Sequence, residues 1–526
     1  MNPFEGNLYL TGFMGTGKST LAQALGQALR RSVVDMDAEL TRHFGAPIAE
    51  VFREQGEGVF REAESALLGR LSRRQRLVVA CGGGVPVDPA NRALMRRSGR
   101  IVALLGDPAA LRARLDGAAI AARPLWGDAA AVQALWSARQ AAYADHDLGL
   151  DAVGMELSAK VEAVLSHLLP DQRLPVVLEG RESPVLATVA APSALRAPAA
   201  GRRVALLTDG HVAARHLARY REALPGAVEI VVPPGEASKS LRRAEAVYQA
   251  LLAARLERRD LLVALGGGVV TDIGGFVAAT WKRGMDCILV STSLLGCVDA
   301  AVGGKSAVNI AGSKNQVGLF TTPRQVILDL AALSTLPGSA RREGLIEAYK
   351  TGLALRPELA AFIETRRRPL LAGDLPDVAA VAIASAAAKG AVVTEDFREM
   401  GLRRVLNLGH TYGHAVEGWH RCRVSHGRCV AVGLRVSLEL SRRRGLIDEA
   451  LAERAAATLR ALSPRRCALP TADEAWPLML HDKKAAAGRL VFVLLAGLGR
   501  HICVDDVTPE ELALAVEAVQ RREDES

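Results

Sequence analysis

Aromatic residues make up only 4% of this 526-residue chain, against an apolar share of 49%. Its cores must therefore be built from alanine, leucine and valine, which suits helices packed on parallel strands better than an all-β sandwich. No uncharged apolar run reaches the roughly 18 residues of a membrane span. The longest stretch, from Leu261 to Ala279, is broken by Asp272. The opening MNPFEGNLYL lacks a basic segment followed by an apolar one, so neither a span nor a signal peptide is expected. The seven cysteines (Cys81, Cys287, Cys297, Cys422, Cys429, Cys467 and Cys503) are scattered and form no CxxC. That excludes a disulfide framework and suggests a reducing, cytoplasmic setting. The net charge of +9 comes without aromatic platforms between the basic residues. Small anionic substrates account for it more simply than nucleic acid does.

Lysine is also rare: ten of the 66 Lys+Arg, at positions 18, 160, 239, 282, 305, 314, 350, 389, 483 and 484. Where arginine serves as the general cation, a retained lysine is enriched for tasks needing a compact ammonium. Eight of the ten fall inside the motifs below.

Length predicts two to four domains. Apolar strands at Leu8–Leu10, Ser32–Asp35, Leu77–Ala80 and Ile101–Leu105 alternate with helical segments, and a helical pattern over Met155–Leu169 stops at Pro170. This predicts a parallel sheet with helices on both faces over residues 1–169. Two prolines bracket PDQRLP, which makes 170–175 the expected linker. Strand patterns resume at Val204–Thr208, Val228–Val232, Leu261–Leu265, Cys287–Val290 and Val326–Leu328, then give way to alanine-rich helix until Leu490–Leu495. The reading is α/β throughout: a P-loop domain, an α/β dinucleotide-binding lobe at 176–334, and a mostly helical lobe at 335–526. The segments 77–85 and 261–269 both run from a strand into GGG, but their flanks differ, so they read as convergent turns rather than a duplication.

Residues 12–19 read GFMGTGKS, a complete GxxxxGK[ST] between a strand and a helix. Gly12, Gly15 and Gly17 let backbone N–H groups, with Thr16 and Thr20 beside them, wrap phosphate oxygens at a helix N-terminus. Lys18 reaches the outer phosphates, and Ser19 ligates Mg²⁺. The motif does not choose the acceptor. The residues after it do: Asp35-Met36-Asp37, Gly56-Glu57 with Phe60-Arg61 and Glu64, Gly82-Gly83-Gly84, Arg123-Pro124-Leu125, and Arg139 with Tyr143. This ordered set resembles shikimate kinase over residues 6–168. The resemblance implies ATP with Mg²⁺, Asp35 acting near the ion and Asp37 orienting the acceptor hydroxyl. Arg61 and Arg139 would clamp a carboxylate, Gly83 and Gly84 would admit the ring, and Arg123 would sit on a lid. Another small-metabolite kinase, such as a gluconate kinase, is the alternative; the paired arginines and the triple-glycine turn argue against it.

In the second half, four of the eleven histidines crowd into 410–426: His410, His414, His420 and His426. The first two, at i and i+4, share a helix face, and a carboxylate such as Glu347 would complete a metal site. Pro234-Gly235-Glu236 with Lys239, and Gly266-Gly267-Gly268 with Asp272, suit a dinucleotide site that lacks GxGxxG. With STSLLGCVDAAVGGKSAVN, SKNQVGLF, EAYK, RVLNLGHTYGHAVE, SHG and DKK, the segment from 174 to about 510 resembles 3-dehydroquinate synthase.

The resemblance implies a Zn²⁺ or Co²⁺ held by Glu347, His410 and His426, with His414 near the substrate. NAD would contact Asp209, Glu236, Lys239, Gly267, Gly268, Asp272, Thr292, Ser293, Lys305 and Lys314. Asp299, Lys305, Lys350, Lys389, Arg283, Arg403, Asn315 and Asn407 would surround a sugar phosphate, with one of Lys483 and Lys484 on its phosphate. A ring hydroxyl would be oxidised, phosphate eliminated, the hydride returned and the carbocycle closed, so NAD is regenerated and the net reaction is a lyase reaction. The partners implied are small-molecule substrates, with neither nucleic acid nor membrane, and a homodimer through the second half. Two departures lie near the cofactor: Ser293 stands where the pattern has a second threonine, and Gly296-Cys297 where it has Ala-Gln. Related cyclases forming an inosose or a valiolone share the framework, and a degenerate regulatory half is the non-enzymatic alternative.

Overall fold

The computed structural model describes residues 3–114, 124–311, 313–421, 423–481 and 490–524. The chain divides into two compact units, one built on 2–170 and the other on 171–373 and 377–526. Arg123, Lys483 and Lys484, with the 115–122 lid segment, lie outside the described residues.

The first unit holds a five-stranded sheet of β1 (Asn7–Gly12), β2 (Ser32–Asp35), β3 (Leu77–Ala80), β4 (Gly99–Leu105) and β5 (Leu148–Asp151). Their order is β2-β3-β1-β4-β5, and every pairing is parallel. β1 and β3 are buried along their whole length, as near-continuous apolar strands with helices on both faces must be. The strand order reverses at β1, so the crevice for a ligand opens at the carboxyl end of that strand, where the P-loop begins.

The second unit begins inside the segment read as a linker. The segment expected as a linker contains β6 (Gln172–Leu174), which pairs antiparallel with β9 and closes one edge of a sheet. An open edge would leave backbone donors and acceptors unpaired, and this short strand satisfies one row of them before Pro175, which has no N–H to offer. A small hairpin, β7 (Val177–Leu178) and β8 (Arg181–Glu182), leads into β9 (Val185–Thr188). The sheet continues with β10 (Val204–Asp209), β11 (Val228–Val232), β12 (Leu261–Gly266), β13 (Asp286–Ser291) and β16 (Gln325–Asp329), in the order β11-β10-β12-β13-β16-β9-β6. Between β13 and β16 stands an antiparallel hairpin, β14 (Lys305–Ile310) and β15 (Ser313–Phe320), which carries the GGKSAVN and SKNQVGLF motifs. Beyond Leu336 the chain is helical apart from β17 (Phe492–Leu495) and β18 (His501–Val504).

Among the described residues, one helix, Leu375–Glu395, is long and apolar enough to cross a membrane despite Asp377, Lys389 and Glu395; 67% of its apolar window is buried inside the fold. It is an alanine- and valine-rich core helix, and its lysine serves the site described next.

Candidate active sites

In the first unit the P-loop is shaped by its glycines. Gly12 has φ +135°, and a Cβ there would lie 2.4 Å from the Leu104 carbonyl oxygen, so no other residue fits. Gly15 and Gly17 also take positive φ, and the helix Lys18–Leu29 starts directly after them. Lys18 Nζ donates to the carbonyls of Gly12 (2.9 Å) and Phe13 (3.0 Å), and Thr16 Oγ1 donates to Phe13 O at 2.8 Å. Ser19 Oγ donates to Asp35 Oδ2 at 2.5 Å, which joins the two groups expected at Mg²⁺. Thr20 is exposed in the first turn of the helix.

The turn after β3 gathers the acceptor-side residues. A Cβ on Gly82 would meet Glu64 Oε1 at 2.4 Å and Asp37 Oδ1 at 2.6 Å. One on Gly83 would lie 3.4 Å from an Arg139 nitrogen, and one on Gly84 would lie 2.0 Å from the Arg61 guanidinium. Tyr143 Oη donates to Gly83 O at 2.8 Å. Asp37, Arg61 and Arg139 thus converge on three residues that have no side chains to block them. Glu64, quoted in the motif without a role, is 1% exposed; it accepts from Arg61 at 2.7 Å, and its Oε1 has no hydrogen-bond partner. Burial pushes its carboxyl up against the pull of Arg61, and the Asp37 charge adds to the rise.

In the second unit the carboxyl ends of β10 and β12 flank the strand-order reversal, where open α/β sheets bind ligands. Asp209 ends β10 and caps the next helix by accepting from His211 and Val212 N–H. At the end of β12, a Cβ on Gly267 would lie 3.1 Å from Ser293 Oγ, and one on Gly268 3.1 Å from Ala300 Cβ. Thr292 N–H donates to Gly266 O at 3.0 Å. Lys239 pairs with Asp272 and donates to Asn315 Oδ1, while Glu236 accepts from Asn309 at 2.8 Å. Asp209, Glu236, Lys239, Gly267, Gly268, Asp272, Thr292 and Ser293 thus lie along one glycine-lined crevice, while Lys305 pairs with Glu399 and Lys314 forms an ion pair with Glu417 at 2.6 Å.

The histidine cluster resolves into three members. The helices His410–Trp419 and His426–Arg443 cross closely enough that a Cβ on Gly433 would lie 1.9 Å from Gly409 O, and one on Gly413 3.0 Å from Cys429 O. This crossing sets the His410, His414 and His426 rings 5.2–5.9 Å apart. His420 turns away to the Ala468 carbonyl. Glu347 Oε1, buried without a hydrogen-bond partner, faces His426 Nε2 at 3.4 Å and His410 Nε2 at 3.5 Å. Ligands about 2.1 Å from a tetrahedral Zn²⁺ are spaced about 3.4 Å apart, so these atoms fit such an ion. Burial lowers the His426 ring, but Glu347 and Glu417 on its two sides raise it to about 10, whereas burial and the Lys350 charge hold His410 well below the usual imidazole range. A metal ion bound here would take the place of the His426 proton. His414, Glu417 and His426 form a second cluster of ligand-type atoms that shares His426.

Around this centre the remaining lysines are paired. Lys350 (2% exposed) contacts Glu347 Oε2 at 2.6 Å and donates to Leu406 O at 2.6 Å. Lys389 pairs with Asp299 and holds its carboxyl well below the usual range despite burial. Lys305 pairs with Glu399, which also accepts from Asn407 at 2.6 Å. Glu399 was not singled out from sequence, although it lies between Lys389 and Arg403. Arg403 is buried and donates to the carbonyls of Phe397 and Gly303. Arg283 is not brought into the cluster. It precedes β13, whose Asp286 pairs with Leu261 at the start of β12, so it stands at the opposite end of the strands from Gly266.

These two constellations define a P-loop phosphotransferase joined to an enzyme with a nucleotide-type crevice beside a His/Glu metal-ligand cluster. Residues 14–168 match the family model of shikimate kinase; 229–343 and 344–485 match those of the 3-dehydroquinate synthase N-terminal and C-terminal regions. A 3-dehydroquinate synthase of Brucella ovis is 42% identical over 322 residues, which cover 59% of this chain and 85% of that protein. The chain belongs to the 3-dehydroquinate synthase family and carries a shikimate kinase domain ahead of it. Among solved structures, 2-epi-5-epi-valiolone synthase from Streptomyces hygroscopicus subsp. jinggangensis, with NAD⁺ and Zn²⁺ bound, is 26% identical at a TM-score of 0.62; the match covers 66% of this chain and 99% of that one. 2-Deoxy-scyllo-inosose synthase, complexed with carbaglucose-6-phosphate, NAD⁺ and Co²⁺, shares the fold at 22% identity, a TM-score of 0.58 and the same coverage.

Proposed function

We propose that the first domain transfers the terminal phosphoryl group of ATP to the 3-hydroxyl of shikimate. The second, in this reading, cyclises 3-deoxy-D-arabino-heptulosonate 7-phosphate to 3-dehydroquinate with release of phosphate. For the kinase, the convergence of Asp37, Arg61 and Arg139 on the side-chain-free turn Gly82–Gly84 carries the reading. A hydroxylated ring acid fits there: the guanidinium forks take its carboxylate, and Asp37 accepts the proton of the attacking hydroxyl. Lys18 and Ser19 would hold the nucleotide and Mg²⁺, with Asp35 beside the ion.

For the synthase, the Glu347, His410 and His426 cluster carries it. These residues would hold Zn²⁺ or Co²⁺, and Glu236, Lys239, Gly267, Gly268 and Asp272 would line the NAD crevice. Bound there, the ion would supply polarisation of a substrate oxygen and NAD a hydride acceptor. The chain's own part is to orient the sugar phosphate. Lys305, Asn407, Lys389 and Lys350 present cations and donors already aligned by their carboxylate partners, and Asp299 accepts from a substrate hydroxyl. The structural neighbours include valiolone and inosose synthases, so a different sugar phosphate is the second reading; the 42% identity to a 3-dehydroquinate synthase favours the first.

Assays of the intact chain with shikimate plus ATP, and with the heptulosonate phosphate plus NAD⁺, test both halves. Chelation should silence phosphate release from the sugar phosphate, and added Zn²⁺ or Co²⁺ should restore it. Indifference to exhaustive chelation would remove the metal from the reading. Phosphate release only from a different sugar phosphate would replace the substrate.

A further inference from the structure

The hairpin β14–β15 breaks register between Val308 and Ile310. Val308 pairs with Val317 and Ile310 with Ser313, so Lys314, Asn315 and Gln316 bulge opposite Asn309. Bulges next to active sites re-aim side chains, and this one aims two of them in different directions. Lys314 reaches Glu417, the carboxylate that also faces His426 Nδ1. Asn315, at φ +53° in the left-handed region that asparagine tolerates better than most residues, takes the Lys239 ammonium on its side chain.

The bulge is tied down from one position. Asn309 Oδ1 accepts the Asn315 backbone N–H at 2.9 Å, and Asn309 Nδ2 donates to Glu236 Oε1 at 2.8 Å. Asn309 N–H itself donates to Lys239 O at 2.8 Å, and Ser240 forms a single bridge to Asn309. One side-chain amide thus uses its acceptor on the bulge and its donor on the loop that carries Glu236 and Lys239. Neither aspartate nor alanine can make both bonds.

We infer that Asn309 is a positioning residue of the synthase half: it locks the β15 bulge to the Glu236–Lys239 loop and so holds the cofactor crevice in register with the substrate-facing Asn315. This rests on the functional reading above for what the crevice binds. Among the described residues, Asn309 bonds to Glu236, Lys239 and Asn315 and to none of Glu347, His410 and His426, so its effect should fall on the cofactor crevice.

The experiment titrates NAD⁺ calorimetrically into the full chain and into N309A and N309D, then measures the kinetics of phosphate release. Losing a hydrogen bond to a charged group costs about tenfold or more in affinity. N309A should therefore weaken NAD⁺ binding by about tenfold and also lower kcat. N309D keeps the acceptor for Asn315 but sets a second carboxylate against Glu236. It should weaken NAD⁺ binding at least as much while keeping most of kcat. Unchanged NAD⁺ affinity in N309A overturns the inference, as does a loss of thermal stability in both variants with NAD⁺ affinity intact. Should N309A not fold, N309D decides by the same split. If the unmodified chain binds NAD⁺ but cyclises a different sugar phosphate, the substrate reading fails, and the affinity comparison still decides for Asn309. An unmodified chain that binds no NAD⁺ overturns both.

Discussion

The two sites handle positive charge in different ways. In the kinase half, Lys18 rests on the Gly12 and Phe13 carbonyls, and the neighbouring cradle is made of backbone N–H groups at a helix start. In the synthase half, five lysines each face a carboxylate: Lys239 with Asp272, Lys305 with Glu399, Lys314 with Glu417, Lys350 with Glu347 and Lys389 with Asp299. A phosphate cradle receives a highly charged ligand from water, and backbone carbonyls help to set the position of its lysine. A buried site for a sugar phosphate gathers several ammonium groups, and each one left uncompensated would cost several kcal/mol. Paired lysines arrive already oriented, and the ligand exchanges one anionic partner for another.

The strongest way to break this contrast is to remove one member from each site. Lys18→Ala should lower phosphoryl transfer by about a thousandfold, with cyclisation and the melting temperature nearly unchanged. Glu347→Gln should abolish cyclisation and metal retention while sparing the kinase. It should also lower the melting temperature of the second half, because Lys350, 2% exposed, loses its counter-charge. Equal losses of stability in the two variants would erase the distinction. Loss of both activities in either would contradict two independent sites.

The acceptor side of the kinase offers the next effect. Gly84→Ala places a methyl 2.0 Å from the Arg61 guanidinium, which must leave its position between Glu57 and Glu64. The KM for shikimate should rise roughly ten- to hundredfold, the range for losing a charged hydrogen-bonding pair, with the KM for ATP unaltered. A matching rise in both would mean that the turn supports the P-loop rather than the acceptor.

Which parts of these sites could be read from sequence follows from how local their chemistry is. The P-loop is contiguous, so Gly12–Ser19 names its own function, and the strands on either side lie close to where apolar runs place them. The i, i+4 pair His410 and His414 is visible for the same reason, but the choice among His414, His420 and His426 depends on a helix crossing set by Gly409, Gly413 and Gly433. Spacing does not report that crossing. Glu64 stands in its motif without a role and Glu399 carries no motif signal, because a carboxylate's role depends on which cation folds against it. The motif does not report the bulge in β15, which sets Lys314 against Glu417. β6 was hidden between two prolines because three edge residues carry almost no periodic signal. Arg283 belongs to a recognisable string, yet the preceding helix, Gly268–Thr280, returns the chain to the end of the strands opposite Gly266.

Within the synthase half, the pair Lys239–Asp272 gives a pH test of the contrast. Burial pushes the Asp272 carboxyl up to about 6 even with Lys239 beside it, and Glu236 adds to the rise. This exceeds the value of about 3.9 for a free aspartate, so the fold favours the neutral form. The stabilisation it contributes is present at low pH and is lost as pH rises through about 6. Cofactor affinity should move the other way, because ribose hydroxyls donate to the ionised carboxylate. NAD⁺ affinity should improve several-fold from pH 5 to pH 7 and then level off, and Asp272→Asn should flatten that profile. An unaltered slope in Asp272→Asn would place the titration elsewhere.

The smallest effect concerns the departure at Gly296-Cys297. A Cβ at position 296 would lie 2.3 Å from Ser291 Oγ and 3.1 Å from Ser293 Oγ. Ser291 is fully buried, its hydroxyl donates to Ser293 O at 3.3 Å, and Cys297 Sγ lies 3.5 Å from it. Restoring the family's alanine therefore overpacks the turn that carries Ser293 against Gly267, at a cost of roughly 1–3 kcal/mol of stability. Because Gly296 N–H donates to Ser293 Oγ, the strain should also raise the KM for NAD⁺, though by less than the Asp272 effect. Ser291→Ala removes the clashing oxygen, so the double variant Ser291→Ala/Gly296→Ala should regain both the melting temperature and the KM. Its failure to do so would mean that the glycine answers to something other than the Ser291 hydroxyl. Recovery would make Ser291 and Gly296 a matched pair, in which the Ser291 hydroxyl fills the space that an alanine methyl at 296 would need.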